Sequence, residues 1–230
     1  SQAEPHEPYR HMREAVPTAG VPARGPSDPT APLKVGAYLP LDEAGRSVVD
    51  GLREGLAMRA EQPIELLVRD ARGNWGSETK ELVDLVFEDE VLAVVGSTER
   101  KGTHLAEMLA AKMHFPVLSL CAEDPTITQI PLPWVFRVVT PGQPFEGDWT
   151  NLGRDIGLML AEQLSGVDPS RKGLRDALDR LDRFDGTTGC FQFDELGNRR
   201  DLSCATSSDG GEDRGIEPTA WAVDTRGTTP

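Results

Sequence analysis

Between residues 33 and 139 the chain alternates short apolar runs with stretches whose apolar residues recur at helical spacing. Val35–Leu39, Ile64–Val68, Val91–Val95, Val117–Leu120 and Val135–Val139 are the runs. The helical stretches carry Val48, Val49, Leu52 and Leu56, then Leu82, Leu85 and Val86, then Leu105, Leu109 and Met113. Near-continuous apolar strands such as Val91–Val95 suit a parallel sheet buried on both faces. Strands alternating with helices fold as a doubly wound parallel sheet. The expected fold is therefore α/β, one doubly wound parallel-sheet lobe with helices on both faces, and Val135–Val139 as an edge strand.

The helix signals add detail. Ser77 stands where a cap would open the second helix. After residue 152 the pattern resumes with Ile156, Met159 and Leu160. Asp168-Pro169 then reads as a cap with proline in the first turn, opening a helix with Leu174, Ala177, Leu178 and Leu181. Phe191–Phe193 and the turn Glu195–Asn198 predict a closing hairpin.

Both ends read differently. Residues 1–32 hold seven prolines and little apolar periodicity, so this segment cannot build a core. Residues 205–230 are rich in Gly, Asp, Thr and Ser, with one apolar patch at Ala220–Val223. These are expected to be extended arms around a lobe at 33–204. They are either disordered or wrapped on a partner, with Tyr9 and Trp221 as anchors in the second case.

A net charge of -14 argues against nucleic acid or an anionic membrane surface as a partner. No stretch approaches the roughly 20 apolar residues of a spanning helix. The chain opens at Ser1 without methionine, which suits a mature product after signal removal, and equally a chosen boundary. Cys190 and Cys204 flank the predicted hairpin and its exit, which fits a disulfide in an oxidising compartment; two buried thiols are the other reading. The spacing of Cys121 from either gives no zinc or haem motif. His104 and His114, ten residues apart, read as solvated rather than as metal ligands. Acidic pairs such as Asp84 with Glu88 read as a solvated face. With no nucleophile elbow, phosphate loop or dinucleotide fingerprint, neither an enzyme nor a cofactor is expected.

The order and wording of these pieces resemble the type I periplasmic solute-binding proteins of branched-chain amino acid transporters. Val68–Gly73 resembles the family's second strand and turn, Val91–Gly96 its "V-x-A-V-V-G" strand, and Trp134–Arg137 its "Y-V-F-R". Leu174–Leu178, Phe184–Gly189 and Phe193–Gly197 resemble "V-R-D-A-L", "F-D-G-x-T-G" and "F-D-x-x-G". The resemblance covers about residues 33–203, and all these pieces belong to the family's first lobe. In the family the chain leaves that lobe near Arg137 and returns near Gly153 after building a second lobe. Here only a short junction, 141–152, fills the gap.

The resemblance implies a ligand site beyond the strands ending at Gly96 and Ser119. The matching positions are Ser97, Thr98, Arg100, Lys101, Cys121 and Glu123, a degenerate set with Glu123 where the family has Ser or Thr. Arg100 and Glu123 could pair with each other or meet an amino acid's carboxylate and ammonium. One lobe cannot bury the 70–90% of a small ligand that tight pockets enclose, so a free small ligand is doubtful. The expectation is an exported, periplasmic, non-catalytic subunit that contacts other protein subunits in a hetero-complex, or itself as a homodimer. The alternative is a substrate-binding component for branched-chain amino acids or a related small molecule in a transporter or sensor.

Overall fold

The computed structural model describes residues 31–73, 75–165 and 169–204. The predicted arms, with Tyr9 and Trp221, fall on residues 1–30 and 205–230 and lie outside the described residues, apart from positions 31 and 32. Five parallel strands form the main sheet: β1 (Leu33–Leu39), β2 (Ile64–Asp70), β3 (Val94–Val95), β4 (Val117–Ser119) and β5 (Val135–Arg137). Their order is β2-β1-β3-β4-β5. Interleaved are α1 (Glu43–Arg59), α2 (Trp75–Phe87) and α3 (Arg100–Met113). Two helices follow, α4 (Trp149–Ser165) and α5 (Arg171–Asp179), then a small antiparallel sheet of β6 (Phe184–Gly186), β7 (Gly189–Phe193) and β8 (Arg199–Leu202).

The apolar runs are continuous because both faces of the sheet are covered. Along β1, Leu33, Val35, Ala37 and Leu39 join the core beneath α1, α4 and α5, while Tyr38 joins the core beneath α2 and α3. That is the two-residue period of a strand written into two separate cores. Only Val94 and Val95 have full strand pairing in β3, yet Leu92 N donates to Lys34 O at 2.8 Å and the Ala93 carbonyl accepts from Gly36 N at 2.9 Å. The run therefore lies along β1 before the ladder proper begins.

Two cap predictions shift. α2 starts at Trp75, so Ser77 lies in its first turn rather than before it. The cap of α5 is Ser170, whose side chain accepts from Gly173 N at 3.0 Å, two residues later than the Asp168-Pro169 reading; Asp168 lies outside the described residues. Here the hydroxyl sits three residues before the amide it must reach, the usual capping distance. β5 is last in the sheet order but not bare. All three of its residues are buried, and Arg137 N donates to Gly197 O at 2.7 Å beside a bridge to Asn198. The small sheet thus covers the edge, which is how exposed strands are normally protected.

α1 and α4 touch backbone to backbone. A Cβ on Gly51 would lie 2.0 Å from Thr150 O, and one on Gly55 2.2 Å from Arg154 O. From the other side, a Cβ on Gly153 would lie 2.3 Å from Val48 O and one on Gly157 2.7 Å from Leu52 O. Glycines four apart on both helices thus form the seam, and Arg154–Glu54 (2.7 Å) and Arg59–Glu162 (3.0 Å) flank it.

Buried Asp155 of α4 then accepts from Thr187 N (2.9 Å), Thr188 N (2.7 Å) and the Thr188 hydroxyl (2.6 Å), fixing the β6–β7 turn. Cys190 and Cys204 form a disulfide with Cα atoms 5.2 Å apart, tying β7 to the chain leaving β8. Arg171, buried in α5, donates to the carbonyls of Val91 (2.9 Å) and Val86 (2.6 Å). No helix of the described residues is long and apolar enough to cross a membrane.

Candidate functional site

The chain turns back on itself after β2, so β1 and β3 are the strands at which the order reverses. In open α/β sheets ligands bind beyond the strand carboxyl ends near such a point. A cleft of about 690 Å³ lies there, beyond β3 and β4. One wall comes from Thr98, Glu99 and Arg100, a second from Leu120 through Thr126, and a third from Pro144, Phe145 and Trp149.

The first wall depends on a close backbone approach. Gly96 ends β3 with φ of 130°, a conformation that disfavours side chains, and a Cβ there would lie 2.0 Å from Tyr38 O. The chain then enters α3 through Ser97, which is buried. The Ser97 hydroxyl accepts from Glu99 N at 3.2 Å, and its carbonyl accepts from Leu120 N (3.2 Å) and the Thr103 hydroxyl (3.1 Å). Ser97 therefore lies under the cleft and joins its two loops. Thr98, Arg100, Cys121 and Glu123 line the cleft; Ser97 and Lys101 do not.

The second wall turns around Asp124, a residue that the sequence reading passed over. Its side chain is 3% exposed, and both oxygens are filled. Oδ1 accepts from Thr126 N (2.8 Å) and the Thr126 hydroxyl (2.6 Å). Oδ2 meets Arg100 Nε at 2.6 Å and His104 Nε2 at 2.8 Å. A carboxylate has about four lone-pair sites, so no acceptor position is left for a ligand. Burial pushes this carboxyl up, but the Thr126 hydroxyl and amide, His104 and Arg100 outweigh it and bring it down to about 2. Arg100 thus pairs with Asp124 rather than with Glu123.

Behind Asp124 the chain of contacts continues. His104 Nδ1 lies 2.7 Å from a Glu107 oxygen, so both ring nitrogens face carboxylates while the side chain stays 39% exposed. Burial holds the Glu107 carboxyl above its ordinary range even with His104 beside it. Buried Arg137 donates through one terminal nitrogen to the carbonyls of Asp124 (2.8 Å) and Ile127 (2.6 Å), holding the loop from below. Cys121 is a free, buried thiol that burial pushes upward, an inert state for sulfur. His114 ends α3 in a left-handed conformation and stacks on Trp134 with centroids 5.6 Å apart. Among the described residues no cluster of three or more His, Cys, Asp or Glu is placed to hold a metal.

The third wall is the junction itself. Gly142 N donates to Ala122 O at 2.9 Å, laying the connection across the end of the β4 loop. Asp148 Oδ1 then accepts from Thr150 N (2.7 Å) and Asn151 N (3.1 Å), satisfying the first amides of α4. Phe145 and Trp149, both half-buried, pack with centroids 4.6 Å apart. Two large aromatics inside a short polar connection were the sequence signal available for this wall.

No protein-family model matches the sequence, and no curated protein matches it. Solved structures do match. A leucine-binding protein from Thermotoga maritima aligns at 11% identity over 74% of this chain and 93% of that chain, with a TM-score of 0.63. A branched-chain amino acid transporter substrate-binding protein from Streptococcus pneumoniae, in complex with isoleucine, aligns at 12% identity over 74% and 94%, TM-score 0.65. The fold is that of type I solute-binding proteins. A solute-binding protein of an ABC transporter from R. palustris, in complex with benzoate, shares this solute-binding-protein fold at 11% identity over 74% and 91%, TM-score 0.63.

Proposed function

We propose that the chain is a non-catalytic, exported module of the solute-binding-protein fold, with one lobe only, whose cleft face meets another protein instead of closing on a free amino acid. Fold alone does not carry function, so the reading rests on the site. Its main support is the Arg100–Asp124 pair. Among the described residues the only guanidinium lining the cleft, that of Arg100, is 2.6 Å from a carboxylate that His104 and Thr126 also hold. A ligand carboxylate would therefore share that guanidinium with Asp124 instead of meeting a free cation.

The direct connection supports the same reading. From β5 to α4 the chain needs only residues 138–148, and it lays Phe145 and Trp149 on the cleft. The cleft therefore opens to solvent, and a face of this kind commonly marks an interaction site. Homodimerisation through the face is the simplest form of this proposal. Periplasmic placement fits both the fold and the disulfide between Cys190 and Cys204, because such bonds persist in oxidising compartments.

A second reading, a transporter or sensor component for a small solute, draws on the volume and the aromatic pair, which could hold an apolar group. Two measurements separate them. Calorimetric titration with leucine, isoleucine and valine is expected to give no saturable heat below the millimolar range. Micromolar affinity would overturn the protein-interface reading. The native mass of the chain isolated from its own cells is expected to exceed that of the 25.0 kDa chain, and a monomer would overturn it as well.

A further inference from the structure

We infer that the cleft receives a basic side chain, the guanidinium or ammonium group of an arginine or lysine on the partner protein. This deepens the protein-interface reading and rests on it. The argument is one of charge and shape. Three carboxylates, Glu99, Glu123 and Asp124, line the cleft against the single guanidinium of Arg100. Asp124 and Arg100 satisfy each other, so the remaining charge is that of Glu99 and Glu123, both exposed. Phe145 and Trp149 line the same cleft, partly buried aromatics with ring centroids 4.6 Å apart.

Carboxylates and aromatic rings lining one cleft together form a receptor for an organic cation. The carboxylates attract the charge, while a ring face holds it through its quadrupole and accepts the apolar stem beside it. A carboxylate-bearing partner meets the wrong sign here. An uncharged apolar side chain would gain nothing from the two glutamates. The whole chain, at -14, adds long-range attraction for a basic surface.

The test uses the full chain and two blocked amino acids, N-acetyl-arginine amide and its uncharged near-isostere N-acetyl-citrulline amide. Binding is followed by the indole N–H resonance of Trp149, assigned with Trp149→Phe. The arginine compound is expected to shift that resonance saturably, with the citrulline compound about tenfold weaker. Glu123→Gln, at an exposed position that leaves the fold intact, is expected to weaken arginine binding about threefold, with leucine giving no response.

Equal responses to arginine and citrulline, or no saturable shift with either, would overturn the inference. So would agmatine binding at micromolar strength, because the occupant would then be a soluble cation. A salt-resistant assembly in the native mass, indifferent to Glu123→Gln, would sink this inference while leaving the interface reading in place. A monomer would sink that reading instead.

Discussion

One turn apart on α4, the protein is built on two opposite principles. Trp149, the first residue of the helix, stands half-exposed against Phe145 and lines an open cleft with its side chain. Gly153 has no side chain, and its backbone lies against Val48 O, where even a Cβ would approach to 2.3 Å. The seam with α1 is closed by backbone contact; the cleft is open. The glycine contact holds α4 against α1 and Asp148 caps its start, so the side chain at 149 is placed by contacts it does not itself make. A rigid element that positions an adaptable surface is the general arrangement for binding sites.

The largest break in that contrast should come at the seam. Gly153→Leu cannot be absorbed by rotamer change, because the obstacle is the Val48 carbonyl and backbone. Overpacking of this kind costs typically 1–3 kcal/mol, and where backbone blocks it more; we expect about 3 kcal/mol or greater. Thermal unfolding should show a large fall in Tm or no cooperative transition. Trp149→Leu, one turn earlier, should unfold close to the parent. Similar losses at both positions would show that the aromatic wall is core rather than surface.

Asp155 sharpens the comparison, since it too is an aspartate held by threonines. Asp124 takes its donors from one threonine, an arginine and a histidine at the cleft edge. Asp155 takes its donors from Thr187 and Thr188, inside the protein. Asp155→Ala would strand two backbone amides and a hydroxyl. Leaving buried donors unsatisfied costs about 1–3 kcal/mol, and charge-assisted bonds sit at the upper end. We expect about 2–3 kcal/mol in urea unfolding, with Asp155→Asn recovering part. An unchanged midpoint would mean the β6–β7 turn holds itself.

The contrast also explains what could be read in advance. The five-stranded parallel sheet was legible because burial on both faces leaves an unbroken apolar run, as at Val91–Val95. The residues of the cleft loops were expected only through the family resemblance; Thr98, Arg100, Cys121 and Glu123 line the cleft, whereas Ser97 and Lys101 do not. Asp124 and His104 were not expected to meet. They stand twenty residues apart, and their meeting depends on where α3 and the β4 loop lie in space. The clamp on His104 was hidden because its two carboxylates come from different elements, Glu107 from α3 and Asp124 from the loop after β4. The glycine seam escaped for a related reason: each helix shows glycines four apart, but a close approach needs both helices and their relative placement. The α5 cap was misplaced more simply, since Ser170 offers the same chemistry two residues after Asp168, and Ser77 falls inside α2 because that helix begins two residues earlier.

The smallest effect should be the acid response of the cleft edge, and its sign follows from Asp124. The carboxyl falls from an ordinary 3.8 to about 2 on folding, so the folded state loses its proton more readily. Its contribution is complete above pH about 4 and fades as pH falls through about 2. For a carboxyl this buried the difference amounts to about 2 kcal/mol. Glu107, raised by burial, acts in the opposite sense: its share is present at low pH and lost as pH rises. The wild type should therefore exceed Asp124→Asn in urea stability at pH 6, and that margin should shrink steadily between pH 4 and pH 2. Glu107→Gln should show no such shrinking margin over the same range. A margin for Asp124→Asn that stays constant down to pH 2 would mean that Arg100, His104 and Thr126 do not hold the carboxylate in solution, and the charged edge of the cleft would then be as adaptable as its aromatic wall.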